Sequence, residues 1–213
     1  MNTILKKLRR EYSDLPLLEQ NVEREPIEQF RLWFHDAVRA KIREPHAMTI
    51  STVDRQKRPT SRIVLMKYFG KDGFAFVTSY ASQKATQLRG NSAVALNFFW
   101  ADLERQVRIT GTVKKASGAV SEKFFKARPR GSQIGAHLFP QSAVIESRAA
   151  VEKRYKEMLK LFGNKAVPRP STWGAYIIVP DYFEFWQGRK NRLHDRICYQ
   201  KIRGRWVIKR LAP

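Results

Sequence analysis

The sequence predicts a mainly β protein, an antiparallel barrel or sheet with peripheral α-helices packed on its outside, and three observations carry that expectation. Short runs with strand character clearly outnumber helical ones. They are separated mainly by hairpin-type turns such as Lys71-Asp72-Gly73 and Arg203-Gly204 instead of regular helical crossovers, which argues against a doubly wound parallel sheet. The 213 residues are 43% hydrophobic and 12% aromatic, a globular composition long enough to bury a core.

In chain order, residues 1–25 are polar and charged, with Leu5, Leu8 and Tyr12 as the main apolar points, and predict a loosely held, mobile N-terminal arm. Residues 26–213 predict a single domain. Pro26 opens a helix whose apolar face is Ile27, Phe30, Trp33, Phe34, Ala37 and Val38, and Pro45 stops it. Strand-like runs AMTISTV, TSRIVLMKYF and GFAFVTS follow from Ala47. Ser82 is available to cap a short helix reaching Leu88 and ended by Asn91. The run SAVALNFFW is so apolar that burial on both faces is expected, and RQVRITGTVKKA is the next strand. Val120 to Ala127 is weakly helical up to Pro129, and Ala143 to Phe162 reads as a longer amphipathic helix closed by Gly163-Asn164. AYIIVPDYFEFW and RICYQKIRGRWVIKRLAP supply the last strands.

The formal charge of +22, from 41 Lys and Arg against 19 Asp and Glu, suits nucleic acid, acidic membrane surfaces or phosphorylated small molecules and does not choose among them. Cys198 is the only cysteine, which excludes an intrachain disulfide and a multi-cysteine metal site. The N-terminus lacks the apolar core of a secretory signal, and no run approaches the roughly 20 apolar residues of a membrane span, so a soluble cytoplasmic protein is expected. Gly-rich phosphate loops, a Gly-x-Ser-x-Gly elbow and a His-Glu-x-x-His helix are absent. His35, His46, His137 and His194 are scattered, so no metal site is expected.

The stretch FEFWQGRKNRLHDR, from Phe183 to Arg196, changes character abruptly. Phe183, Phe185 and Trp186 read as the end of a half-buried strand, Gly188 breaks the run, and Arg192, His194, Asp195 and Arg196 crowd together before strand character resumes. Such a cluster between two strands is where a site for an anionic planar ligand is built, and is equally a solvated hairpin loop. Arg62 and Lys67 bracket IVLM and leave opposite faces of a strand unless a bulge intervenes. Lys84 sits at the start of the short helix, where backbone amides and a cation jointly hold a phosphate. Arg128, Arg130 and Ser132 supply guanidiniums and a hydroxyl suited to a phosphate ester. Each of these cations taken singly is also an ordinary surface charge.

RREY near the start, RIVLMK, LERQV, RPRGSQIGA, the Gln141-Ser142 pair, FWQGRKNRLHDR and the terminal RLAP occur in this order between Leu8 and Pro213. Together they resemble the pyridoxine/pyridoxamine 5'-phosphate oxidase family. The resemblance implies an FMN-binding split β-barrel, Greek-key-like, forming a homodimer with FMN at the subunit interface. It implies oxidation of phosphorylated B6 vitamers to pyridoxal 5'-phosphate, with O2 as acceptor and hydrogen peroxide as product. Matched position by position, Arg62, Ile63, Val64, Leu65, Met66, Lys67, Val77, Thr78, Gln83, Lys84, Gln106, Gln141, Ser142, Trp186 and Arg196 would contact FMN. Lys67, Phe124, Arg128 and Ser132 would meet the substrate phosphate, while Arg192, Leu193 and His194 would lie over its ring, Arg192 and His194 as the catalytic orienting groups. Arg9, Arg10, Glu11 and Tyr12 would belong to an arm closing on the occupied site.

Two positions depart from the family pattern. Phe124 stands where a phosphate-binding tyrosine is common, and Gln83 where an arginine is common; Lys126 or Arg130 are the neighbouring cations available to compensate. Two other readings remain open at this point: a flavin barrel acting on another substrate, and a basic nucleic-acid-binding barrel stacking bases on its aromatics. No specific nucleic acid or membrane partner is expected, because aromatics alternating with polar residues are better explained as core and interface.

Overall fold

The computed structural model describes residues 11–213; Arg9 and Arg10, named above as arm residues, lie outside the described residues. The strands are β1 (Ala47–Val53), β2 (Pro59–Gly70), β3 (Gly73–Ser79), β4 (Ala93–Trp100), β5 (Arg105–Lys115), β6 (Trp173–Gln187), β7 (Asp195–Ile202) and β8 (Arg205–Leu211). The α-helices are α1 (Pro26–Arg39), α2 (Gln83–Gly90), α3 (Gly118–Lys126), α4 (Arg130–Gly135) and α5 (Arg148–Phe162). The sheet order is β3-β2-β1-β4-β5-β6-β7-β8, and β3 also pairs with β6, so the first six strands of that order close into an antiparallel barrel. The expectation of a mainly β antiparallel barrel with a few helices holds.

β6 makes this topology possible by serving two partners in succession. Trp173 to Ile178 pair with Ser79 to Phe74 of β3. Tyr182 to Gln187 pair with Gln200 to Asp195 of β7. Pro180, which has no N–H to give a ladder, falls outside both registers.

Two compact units are distinguished. One comprises residues up to Ile50, Ala95–Gly111 and Pro180–Pro213. Its core is aromatic: Phe30 of α1 meets Phe98 at 4.9 Å, Trp33 meets Phe185 edge-on at 5.2 Å, and Phe185 meets Tyr199 at 5.6 Å. The other comprises Ser51–Val94 and Thr112–Val179. There Phe125, Ile134, Met158, Val167 and Trp173 form a buried cluster under the helices.

Four expectations need correction. β4 is not buried on both faces: Val94, Leu96, Phe98 and Trp100 are buried while Phe99 is 60% exposed, because a strand closed into a barrel turns only alternate side chains inward. The last long helix begins at Arg148 and not at Ala143, since the Ser147 side chain accepts from the Ala150 N–H at 3.2 Å and caps it there. A short helix, α4, forms where no helix was read, and Val38 at the end of α1 is half exposed. Among the described residues no helix is long and apolar enough to cross a membrane, and no group of three or more His, Cys, Asp or Glu is placed to hold a metal ion.

Candidate active site

In the unit built on Ser51–Val94 and Thr112–Val179, β2, the start of α2 and the connection between α3 and α4 gather cations round a cavity of about 680 Å³. Ile63, Val64, Leu65, Lys67, Val77, Thr78, Lys84, Phe124, Arg128, Ser132 and Gln141 line it, a volume in the range of small-molecule sites. Lys84 is only 8% exposed. Its ammonium donates to Thr78 Oγ1 and Gln141 Oε1, both at 3.2 Å, and Thr78 donates to the same Gln141 oxygen at 2.8 Å. Among the described residues no carboxylate comes within ion-pair distance of Lys84 or Arg128, so burial, with Arg62 adding like-charge repulsion, lowers the Lys84 pKa.

Arg128 is the sharper case. Its guanidinium lies over Trp173 at 4.9 Å and Phe125 at 5.8 Å, burial lowers its pKa, and its buried Nη1 has no hydrogen-bond partner. A buried guanidinium donor without an acceptor is costly, and an anionic oxygen that reached it would remove that cost. Ser132 lines the same cavity from the first turn of α4. This donor set fits a phosphorylated ligand. Phe124 brings a ring and no hydrogen-bonding atom to the wall.

Arg62 does not line this cavity, although its charge reaches Lys84. It donates to Thr52 Oγ1 and Thr60 Oγ1, both at 2.6 Å, and those hydroxyls donate to Gln87. Met66 is buried beside it. Gln83 and Ser142 meet at α2, where the Gln83 N–H donates to Ser142 Oγ at 3.4 Å, and Ser142 has a left-handed φ of 74°. The two neighbouring cations do not reach this cavity: Arg130 donates to the Gly163 carbonyl, and Lys126 pairs with Glu122.

In the other unit, the turn from β6 into β7 carries a second cluster. The Trp186 ring lies 4.7 Å from that of His194, and Tyr12 meets both edge-on, at 5.8 Å and 5.2 Å. The Arg192 guanidinium lies 5.5 Å from the Tyr12 ring. Asn191 and Arg192 both have left-handed φ angles, a strained pair of the kind that accumulates at functional turns. The Arg189 N–H donates to His194 Nδ1 at 3.1 Å, so the neutral ring carries its proton on Nε2. Burial and then the Arg192 charge lower the His194 pKa. Leu193 is exposed and Gln106 half-buried on β5.

Arg196, paired opposite Trp186, donates to the buried carboxylate of Glu184 at 2.9 Å. That carboxylate also accepts from Arg108 at 3.1 Å and Tyr182 at 3.2 Å. The hydrogen bond to Glu184 raises the Arg196 pKa. The stretches LERQV and FEFWQGRKNRLHDR contain Glu104 and Glu184 without giving either a role, and Trp173 lies outside every motif. For Trp173 the signal was an aromatic opening the strand that follows a Pro-rich connector; Glu184 was hidden in an aromatic run that normally excludes charge.

Residues 34–162 match the family model described as pyridoxamine 5'-phosphate oxidase, and residues 173–213 match the pyridoxine 5'-phosphate oxidase C-terminal dimerisation region. The pyridoxine/pyridoxamine 5'-phosphate oxidase of Acaryochloris marina is 45% identical over 211 residues, covering 99% of this chain and 96% of its own. A second oxidase of that name from Hydrogenovibrio crunogenus is 46% identical over the full length of both chains. Among solved structures, PhzG of Burkholderia lata in complex with tetrahydrophenazine-1-carboxylic acid superposes with a TM-score of 0.89 at 26% identity, covering 94% of this chain and 100% of that one. A pyridoxamine 5'-phosphate oxidase-related, FMN-binding protein of Nostoc punctiforme shares the fold, with a TM-score of 0.70 at 14% identity over 89% of this chain and 98% of its own. The chain belongs to the pyridoxine/pyridoxamine 5'-phosphate oxidase family.

Proposed function

We propose that this protein is a cytoplasmic, homodimeric, FMN-dependent oxidase. It converts pyridoxine 5'-phosphate and pyridoxamine 5'-phosphate to pyridoxal 5'-phosphate, with O2 as final acceptor and hydrogen peroxide as product. The observation that carries this reading is Arg128, which lines a cavity with Lys67 and Ser132 and keeps a buried Nη1 without a hydrogen-bond partner. Bound FMN supplies the hydride acceptor.

The chain's own residues then bind, orient and exclude water. The β2 segment from Arg62 to Lys67, with Val77, Thr78, Gln83, Lys84, Gln106, Gln141, Ser142, Trp186 and Arg196, holds the cofactor, and Lys84 meets its negative charge. Arg128, Lys67 and Ser132 receive the phosphate of the substrate, beside Phe124. Arg192, Leu193 and His194 orient the pyridine ring, His194 through its Nε2 proton, and Tyr12 with Glu11 covers it.

The test is peroxide release from the FMN-loaded protein, with pyridoxine phosphate compared against unphosphorylated pyridoxine. A strong preference for the phosphate ester that collapses in Arg128→Ala is the expected result. Equal use of the two vitamers, or no flavin absorbance after FMN is added, overturns the reading. PhzG of Burkholderia lata was crystallised with a carboxylated heterocycle, so that class is the competing substrate to include in the same assay.

A further inference from the structure

Residues 13–19 are fastened at two points to the unit that carries His194. Near Tyr12, the Ser13 N–H and hydroxyl both donate to Glu104 Oε2 at 2.6 Å. Glu104 is placed for this by a left-handed φ of 54°, and its carbonyl accepts the Gly188 N–H at 2.8 Å. Further on, Arg210 of β8 spreads its guanidinium over several acceptors. Nε and Nη2 take the two oxygens of Glu19 at 2.7 and 2.8 Å, Nη2 also takes the Leu17 carbonyl at 2.8 Å, and Nη1 takes Asp195 Oδ1 at 2.6 Å. Asp195 completes the loop by accepting the Leu17 N–H at 3.0 Å, while Leu17 itself is buried. Arg189, whose N–H holds His194, pairs with Asp195 at 3.3 Å and with Asp14 at 3.0 Å.

We propose that Glu104 and Arg210 form a two-point clasp on residues 13–19 that positions Tyr12 against His194 and Trp186 and so sets affinity for the phosphorylated substrate. This rests on the functional reading above, in which Tyr12 and His194 meet that substrate. Among the described residues the hydrogen bonds of both clasp side chains go to residues 13–19 and Asp195 and none to the Tyr12, Trp186 or His194 side chains, so both act as positioning residues. The planar fork of Arg210 suits the role, because one guanidinium serves two carboxylates and a carbonyl together, which an ammonium cannot do with the same geometry. Arg210 holds the Glu19 carboxyl down at about 2, so the pair stays charged throughout the working range of an enzyme. Gly188 shows how tightly the segment is seated: a Cβ there would lie 2.6 Å from the Tyr12 ring and 3.0 Å from Glu104 Cβ.

The experiment compares wild type, Arg210→Met, Arg210→Lys and Glu104→Gln, all loaded with FMN, by amide hydrogen exchange at Ser13 and Leu17 and by steady-state kinetics with pyridoxine phosphate. Arg210→Met is expected to speed exchange at both amides and to raise KM about tenfold with kcat within about twofold, a split that marks lost binding and not lost chemistry. Arg210→Lys should recover part of the affinity, Glu104→Gln should loosen Ser13 more than Leu17, and FMN affinity should not change. Faster exchange with unchanged KM overturns the proposal, and so does unchanged exchange. If Arg210→Met fails to fold, Glu19→Gln on the exposed side of the same pair gives the same two readouts. A wild type that does not oxidise pyridoxine phosphate would defeat the functional reading instead, and the exchange difference alone would then decide whether the clasp exists.

Discussion

The backbone N–H of Arg189 donates to Nδ1 of His194 at 3.1 Å, which fixes the imidazole as an Nε2–H tautomer beside Trp186. A protonated ring would lose that bond and face the Arg192 charge, consistent with a pKa lowered from 6.5 by burial first and Arg192 second. The unfolded chain therefore takes up this proton before the folded one does. The stability contributed is present above pH 6.5 and is lost as pH falls through the lowered folded value. Proton NMR of the imidazole resonances, assigned by the one missing in His194→Gln, should show a titration below 6.5. Titration at or above the ordinary histidine value would contradict the geometry.

Lys84 predicts effects of opposite sign on two measurements. Its buried ammonium is held by a hydroxyl and an amide oxygen and by no carboxylate among the described residues, so the empty protein bears an uncompensated cation. Lys84→Met should leave the melting temperature of the FMN-free protein unchanged or higher. It should weaken FMN binding about 10- to 100-fold, the worth of a charge-assisted hydrogen bond. Flavin fluorescence quenching and thermal unfolding check the pair, and a loss in both would mean that Lys84 serves the fold.

Much of this architecture is legible because it depends on local chemistry. β1 and β3 coincide with the apolar runs that announce them, Ser82 caps α2 as its hydroxyl and position suggest, and Arg203-Gly204 adopts the paired positive φ angles of a tight hairpin. Lys67 lines the cavity and Arg62 does not, and the register shift between Met66 and Tyr68 falls at Lys67 itself, so the bulge that the alternation left open intervenes there. What escapes is long-range. Arg210 and Glu19 are 191 positions apart, and nothing within either segment announces the other. The start of α5 departs from the expectation because Ala143, Val144 and Ile145 imitate a helical face, yet Val144 is fully exposed. Local clustering makes Arg128 and His194 candidates and motif order selects them, since each cation and imidazole is common when taken alone.

Phe124 predicts a gain of function. It lines the cavity with Arg128, Lys67 and Ser132 but offers no donor. Phe124→Tyr adds a hydroxyl beside three groups assigned to the substrate phosphate, and one neutral hydrogen bond is worth about 0.5 to 1.5 kcal/mol. KM for pyridoxine phosphate should fall about two- to tenfold, with no change for unphosphorylated pyridoxine. A fall for both vitamers would place the new hydroxyl away from the phosphate.

Gly188 is the position where a single methyl group tests how the segment carrying Tyr12 is seated. Its backbone is not in the left-handed region, so any cost of Gly188→Ala is steric and not conformational. The added Cβ would meet Tyr12 Cδ1 at 2.6 Å, Glu104 Cβ at 3.0 Å and Tyr12 Cγ at 3.1 Å, contacts too short to keep. Tyr12 has more room to move than Glu104, whose carbonyl accepts the Gly188 N–H and whose Cβ is part of a left-handed turn. Gly188→Ala should therefore destabilise the protein by about 1 to 3 kcal/mol, as overpacking does, and raise KM for pyridoxine phosphate. In a Tyr12→Ala background part of that stability cost should vanish, because the colliding ring has gone while Glu104 Cβ remains, and a double-mutant cycle would read the difference as coupling. Additive costs across the cycle would mean that the ring does not rest on Gly188 in solution, and the contacts drawn between Tyr12 and His194 would lose their support.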